Sequence, residues 1–262
     1  MCTEQIIEKK VEEEFTFFGA KKVASNIKTD LVDKLFSNVS DRYDIMNDLM
    51  SWGIHRIWKD QFSMLMDIPK AKLLDVAGGT CDIAERYYGF VERNGYKPDI
   101  TVFDLNHDML KIGSDKMLNK GLIGVNFVNG NAENLPFADG SFDYYSVSFG
   151  IRNFACIDKA LKEAKRVLKK NGKFLCLEFS KPKNLLLSKL YDLYSKNVIP
   201  ALGSTLVDRD SYEYLVESIK KFPSQEEFVE MVREAGFSNV AFRDLSGGIV
   251  AIHTGYNFKF SG

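Results

Sequence analysis

The 262-residue chain carries 35 lysines and arginines against 36 aspartates and glutamates, a formal net charge of −1, with 45% hydrophobic and 13% aromatic residues. So even a balance gives no electrostatic case for a nucleic-acid partner, and no apolar run reaches the ~20 residues that a membrane-spanning helix needs. Four cysteines (Cys2, Cys81, Cys156, Cys176) without C-x-x-C pairing support neither a zinc site nor a disulfide framework, so no metal is expected and a reducing compartment is.

Residues 1–28 are charged and read as a partly ordered arm. The start, Met1 to Gln5, lacks a signal-peptide core, and Glu8 and Glu12 to Glu14 argue against an acid-poor transit peptide. A cytoplasmic bacterial protein or a mature organellar chain is the expectation. Phe15-Thr16-Phe17-Phe18 stands out in the arm, either packing on the main body or meeting an apolar ligand or membrane surface. From residue 29 the chain reads as one domain of four parts: a helical cap (29–68), a cofactor-binding core (70–180), a substrate-side insertion (183–222), and a closing helix and hairpin (223–258).

In the cap, Leu31, Leu35, Phe36 and Val39 share a helical face. Residues 40–60 mix polar, aromatic and charged types without a stripe. They read either as a capped helix pair with solvated charges or as a lid whose Tyr43, Asn47, His55 and Arg56 face a site.

The core opens with Lys72 to Ala77, a mostly apolar strand of the kind buried on both faces of a parallel sheet. Gly78-Gly79-Thr80 follows, then a helix, then a second strand, 99–104, ending at Asp104. Glycine lets a backbone turn tightly and approach a ligand, and an acid at the tip of the second strand can hold ribose hydroxyls. The spacing departs from the G-x-G-x-x-G of pyrophosphate-bearing dinucleotides. It fits an adenosine ligand without pyrophosphate, of which S-adenosylmethionine is the common one. Strands at 125–129, 142–149 and 173–179 alternate with helices at 106–119 and 156–169, which implies a parallel sheet with right-handed crossovers. Asn106 is a plausible N-cap of its helix.

The insertion carries Leu185, Leu186, Leu187, Leu190, Leu193 and Tyr194 at helical spacing, as a cover for the sheet or as one wall of a greasy substrate pocket. Ser224 with Glu227 marks a capping box. Strands 239–245 and 249–254 around Ser246-Gly247-Gly248 form a closing antiparallel hairpin, an ending characteristic of one methyltransferase class.

Several of these motifs together resemble the ubiquinone/menaquinone biosynthesis C-methyltransferase family. They are Tyr43 to Asp48 with Ser51 to Asp60, Asp75 to Asp82, Asn131 to Phe137, Ser148 to Asn153, Leu177 to Pro182, Tyr214 to Ile219 with Phe222-Pro223, and Gly248 to Gly255. The first and fourth of these motifs are the most restricted. The resemblance covers about residues 15–258. It implies a Rossmann-like class I methyltransferase: an α/β fold with a mainly parallel seven-stranded sheet, a C-terminal antiparallel hairpin and an N-terminal helical cap.

It also implies S-adenosyl-L-methionine as cofactor, with Gly78 and Thr80 at the methionine end, Asp104 at the ribose, Asn131 and Ala132 at the adenine, and Ser148 beside the reacting methyl. The reaction implied is C-methylation of a prenylated quinol, 2-polyprenyl-6-methoxy-1,4-benzoquinol and/or demethylmenaquinol. Arg152 is implicated in it, with Tyr43 and Asn153. Arginine cannot give up its proton at neutral pH. Its expected role is therefore to stabilise phenolate charge or hold a basic water, with Tyr43 and Asn153 orienting it. His55 is the conventional base candidate or a structural hydrogen-bonder; His107 and His253 read as structural.

Where the family usually has glycine, this chain has Cys81, which would be strained if the position needs close backbone approach or positive φ; it is expected to sit instead in the first helical turn, where cysteine fits. A polyprenyl substrate without a membrane span implies peripheral attachment, through Phe15–Phe18 or Leu185–Tyr194. That places the protein at the inner membrane, on the cytoplasmic side or the mitochondrial matrix side. A homodimer or a quinone-synthesis complex is open as assembly. Competing readings are a methyltransferase for another small phenol or lipid, and a cofactor-binding scaffold of such a complex.

Overall fold

The computed structural model describes residues 15–19, 21–39, 48, 51, 53–182 and 209–258. A seven-stranded sheet is built from β3 (Lys72–Val76), β4 (Asp99–Asp104), β5 (Asn126–Asn129), β6 (Phe142–Ser148), β7 (Leu168–Phe179), β8 (Ser238–Leu245) and β9 (Val250–Tyr256). Its order is β5-β4-β3-β6-β7-β9-β8. The first five strands are parallel, and β9 is antiparallel to both β7 and β8. Chain order runs outward from β3 to β5 and then in the other direction from β6. The β3/β6 boundary is therefore the switch point at which open α/β sheets bind ligands.

Helices cover both faces because the strands alternate apolar residues to both. Leu73, Leu175 and Leu177 pack with Phe62 of α2 (His55–Ser63), Tyr87 and Val91 of α3 (Asp82–Arg93) and Met117 of α4 (His107–Asn119). Leu74, Val76, Phe174 and Cys176 pack on the other face with Leu161 and Ala164 of α5 (Ile157–Val167) and with Phe228 and Val232 of α7 (Gln225–Glu234). Asn106 caps α4, accepting from the Met109 backbone N–H at 2.8 Å. Ser224 and Glu227 close a reciprocal capping box on α7.

The N-terminal segment is more regular than its composition indicates. Phe15–Phe18 (β1) and Lys21–Ala24 (β2) pair as an antiparallel hairpin, and α1 runs Ser25–Val39, four residues ahead of the expected cap. Alternation sends Phe18 inward, stacked on Tyr214 of α6 (Arg209–Lys221) at 4.4 Å, and leaves Phe15 and Phe17 exposed. The inward stripe of α1 is Thr29, Val32, Asp33 and Phe36, displaced from the apolar stripe because it faces a cavity as well as the core.

β7 starts at Leu168 instead of 173. Leu168 already has extended dihedrals and pairs with Phe142, and Asn171 at φ 67° with Gly172 absorbs the register shift before Lys173 meets Tyr144. Tyr43, Asn47 and the Leu185–Tyr194 run lie outside the described residues.

Candidate active site

A cavity of about 950 Å³, part of it open to solvent, lies over the carboxyl ends of β3, β4 and β6. The helix α1 roofs it. Asn106 Nδ2 donates to Asp33 Oδ1 (2.7 Å) and Ser37 Oγ (2.8 Å), and Lys28 Nζ donates to the Phe154 carbonyl (2.6 Å).

The floor is the turn after β3. Gly78 admits no side chain, since a Cβ would stand 2.7 Å from Val102 Cγ1 and 3.0 Å from the Asp75 carbonyl. Cys81 is not in the first helical turn. It is the residue before α3, in left-handed conformation at φ 66°. The turn holds it there: its N–H donates to the Gly78 carbonyl at 2.7 Å, while its side chain is fully buried. Room for that side chain comes from Gly113 of α4, where a Cβ would sit 2.5 Å from Cys81 Sγ. Ala77 (φ 51°) and Phe149 (φ 56°) are left-handed as well. Of these three left-handed non-glycine residues, Ala77 and Phe149 line the cavity, and backbone strain commonly collects at functional sites.

Asp104 closes the β4 side. Its Oδ2 accepts from the Gly79 N–H (2.9 Å) and its Oδ1 from the Asn106 N–H (2.8 Å). Burial pushes its carboxyl up to about 6, against those two backbone donors. Past β5, Asn131 folds its side chain back to accept from the Glu133 N–H (2.9 Å), and Ala132 beside it is buried. Thr80 and Ser148 complete the wall. All six residues expected at the cofactor (Gly78, Thr80, Asp104, Asn131, Ala132, Ser148) line this one cavity, as does Asn153.

Among the described residues, two buried polar atoms in the lining have no hydrogen-bond partner: Ser148 Oγ and Asp75 Oδ2. Asp75 is 1% exposed, and its other oxygen accepts from Ser146 Oγ at 2.6 Å. Burial raises its carboxyl to about 7, opposed by that bond and by the backbone N–H of Ala84. An orphaned carboxylate oxygen in a cavity suits a cationic ligand group. The set offers a buried carboxylate for a cationic group and a second carboxylate for hydroxyls, and S-adenosylmethionine carries both kinds of group.

The acceptor side is arranged differently from expectation. Arg152 and Asn153 share a short 3₁₀ turn after β6, but Arg152 does not line the cavity. Its guanidinium donates to Glu178 Oε1 (2.7 Å) and the Phe149 carbonyl (2.6 Å), with both charged side chains buried. Asn153 Oδ1 accepts from the Tyr214 hydroxyl at 3.0 Å.

His55 is buried outside the lining, with Nε2 3.0 Å from Asp48 Oδ1. Burial, then Lys59, lowers it to about 4, so it is a weak base at neutral pH. Arg56 turns to Asp48 at 2.6 Å. His253 packs edge-on against Phe228 and lies 3.2 Å from the Gln225 carbonyl. Glu178 and Lys59 were missed in the sequence; the signal for Glu178 was an acid inside the apolar run Leu175 to Phe179.

The model of the ubiE/COQ5 methyltransferase family matches residues 23–257. A protein named ubiquinone/menaquinone biosynthesis C-methyltransferase UbiE, from Rickettsia bellii (strain OSU 85-389), is 50% identical over 243 residues, covering 92% of this chain and 98% of that protein. The protein of the same name from Brucella abortus (strain S19) is 50% identical over 246 residues, covering 91% and 90%. Among solved structures, a SAM-dependent methyltransferase from Thermotoga maritima, described as a possible histamine N-methyltransferase, superposes with a TM-score of 0.61. It is 19% identical over 86% of this chain and 99% of that one, a likeness of fold alone. With the model spanning nearly the whole chain and half of all aligned residues identical to such relatives, the protein belongs to the ubiE/COQ5 methyltransferase family.

Proposed function

We propose that the protein transfers a methyl group from S-adenosyl-L-methionine to a ring carbon of a prenylated quinol in ubiquinone or menaquinone biosynthesis, the acceptor being 2-polyprenyl-6-methoxy-1,4-benzoquinol and/or demethylmenaquinol. One observation carries this reading: the cavity of a family methyltransferase has all six expected cofactor residues on its wall and an unpaired carboxylate oxygen in its floor. The cofactor supplies an electrophilic methyl on a sulfonium. The chain must then hold the acceptor carbon in line, exclude water and help remove the ring proton.

Asn153, held by Tyr214, reaches the cavity from the end of β6 and is assigned to orienting the acceptor. Arg152, beside it on the same 3₁₀ turn, is assigned to stabilising phenolate charge or holding a basic water, with Tyr43 and Asn153 orienting it. Quinol methylation by Arg152→Ala, with cofactor binding measured separately, tests the assignment. Intact binding with lost turnover supports it, and near-normal turnover removes Arg152 from the mechanism. A panel of quinols, simple phenols and lipids decides between this acceptor and others. A pure protein that binds cofactor yet methylates nothing in the panel supports a scaffold.

No described helix is long and apolar enough to cross a membrane. A polyprenyl acceptor therefore calls for peripheral docking at the inner membrane, cytoplasmic or matrix side. The β1–β2 hairpin is assigned to it: Phe15 and Phe17 are exposed, with Lys22 Nζ 5.1 Å and Lys221 Nζ 3.6 Å from their ring centres. Liposome flotation that fails while membrane-embedded quinol is still methylated refutes this docking. Association with a second copy or with quinone-synthesis partners would appear as larger species in sedimentation without lipid.

A further inference from the structure

The amino-acid end of S-adenosylmethionine carries an ammonium and a carboxylate. Asp75 accounts for the first. For the second, the cavity wall offers one buried ammonium, Lys59, which comes from α2 of the cap and is 4% exposed. Lysine is rarely so buried without a reason. Among the described residues, its Nζ donates one hydrogen bond, to Asp82 Oδ2 at 2.5 Å, and lies 6.0 Å from the Phe149 ring centre.

Asp82 alone does not balance it. Lys116 Nζ occupies the other oxygen of Asp82 (2.7 Å) and reaches Glu85 (3.2 Å), which Lys120 also holds at 2.5 Å. Three ammoniums thus face two carboxylates at the start of α3. The N-terminal N–H groups of that helix add further positive potential. Despite burial, the two lysines hold Asp82 well below the usual carboxylate range, so it stays ionised and the excess positive charge persists. Of this cluster, Lys59 and Asp82 line the same cavity as Asp75, so an acceptor and a donor for opposite charges face one space.

We propose that Lys59 binds the carboxylate of the cofactor's methionine end, so that a residue of the helical cap closes onto the cofactor. The inference rests on S-adenosylmethionine as the ligand. Its consequence is that the cofactor adds a second charge pair at Lys59 to the one that already joins α2 to Asp82.

The test is calorimetric titration of the full chain with two ligands. S-adenosylhomocysteine has both charged groups, whereas S-adenosyl-3-thiopropylamine keeps the ammonium and lacks the carboxylate. Lys59→Met is expected to weaken S-adenosylhomocysteine binding by about 10- to 100-fold, the size of a lost charge-assisted hydrogen bond, and to change thiopropylamine binding by less than about twofold. Lys59→Gln, which keeps a donor for Asp82, should show the same selective loss if the methionine variant folds poorly. Equal loss for both ligands, or loss for neither, overturns the proposal. Wild-type protein that binds neither ligand overturns the cofactor reading itself, a separate outcome.

Discussion

The carboxyl of Asp75 makes cofactor binding pH-dependent, with a sign and size that follow from its position. It is 1% exposed, with Oδ2 unpaired, and burial lifts it from 3.8 to about 7. A ligand ammonium favours the charged form, so binding expels a proton wherever the free site is protonated. For a group of pKa about 7 that must ionise, the apparent Kd is multiplied by about 11 at pH 6 and by about 1.1 at pH 8.

Affinity for S-adenosylhomocysteine should therefore rise about tenfold from pH 6 to pH 8. Asp104, lifted to about 6, contributes at most about another twofold if the ribose requires its charged form. Calorimetry in buffers of different ionisation enthalpy counts the released proton directly. Asp75→Asn should flatten most of the dependence and weaken binding at pH 8. A flat wild-type profile, or an unchanged profile in Asp75→Asn, refutes the ammonium contact. The stability of the free protein has the opposite sign. The folded pKa of Asp75 is raised, so the folded state binds the extra proton between about 4 and 7, and this group's contribution is lost as pH rises through that window.

Glu178→Gln should leave the Arg152 guanidinium buried without its carboxylate and cost about 3–5 kcal/mol in chemical denaturation, the range for breaking a buried ion pair from one side. Gly113→Ala should destabilise by about 1–3 kcal/mol, because a Cβ there stands 2.3 Å from the Gly79 carbonyl and 2.5 Å from Cys81 Sγ; an unchanged melting temperature contradicts the packing. Ser224→Ala removes half of a capping box and should lower stability by about 1 kcal/mol with no effect on cofactor affinity. His55→Asn should leave the pH profile of turnover unchanged, since the imidazole is neutral above about 4.

The cavity wall over β3 and β4 was legible because it depends on local chemistry. A buried strand, a glycine turn and an acid at the next strand tip are all encoded within about thirty residues of each other, and strand tips converge wherever the sheet order reverses. The contacts of Lys59, Arg152 and Asn153 were less legible because their partners are remote in sequence. Lys59 meets Asp82, Arg152 meets Glu178 and Asn153 meets Tyr214 only once helices and strands are packed.

Apolar periodicity misled at α1, whose inward stripe includes Thr29 and Asp33 because a cavity tolerates polar groups that a core would not. Cys81 misled for a related reason. Its left-handed backbone is imposed by the turn, and the space for its side chain comes from Gly113, thirty-two residues away in sequence. The hairpin at 15–24 was hidden at the end of a charged segment, marked only by three phenylalanines in β1 and by Val23 and Ala24 in β2.

Product analysis tests the central claim most directly. Pure protein is supplied with S-adenosylmethionine carrying an isotopically labelled methyl group and with a demethylated prenyl quinol, and the product is examined by nuclear magnetic resonance. The account predicts the label on a ring carbon, with one ring proton lost per turnover. Label on a phenolic oxygen, or no transfer by protein that binds S-adenosylhomocysteine normally, would contradict it.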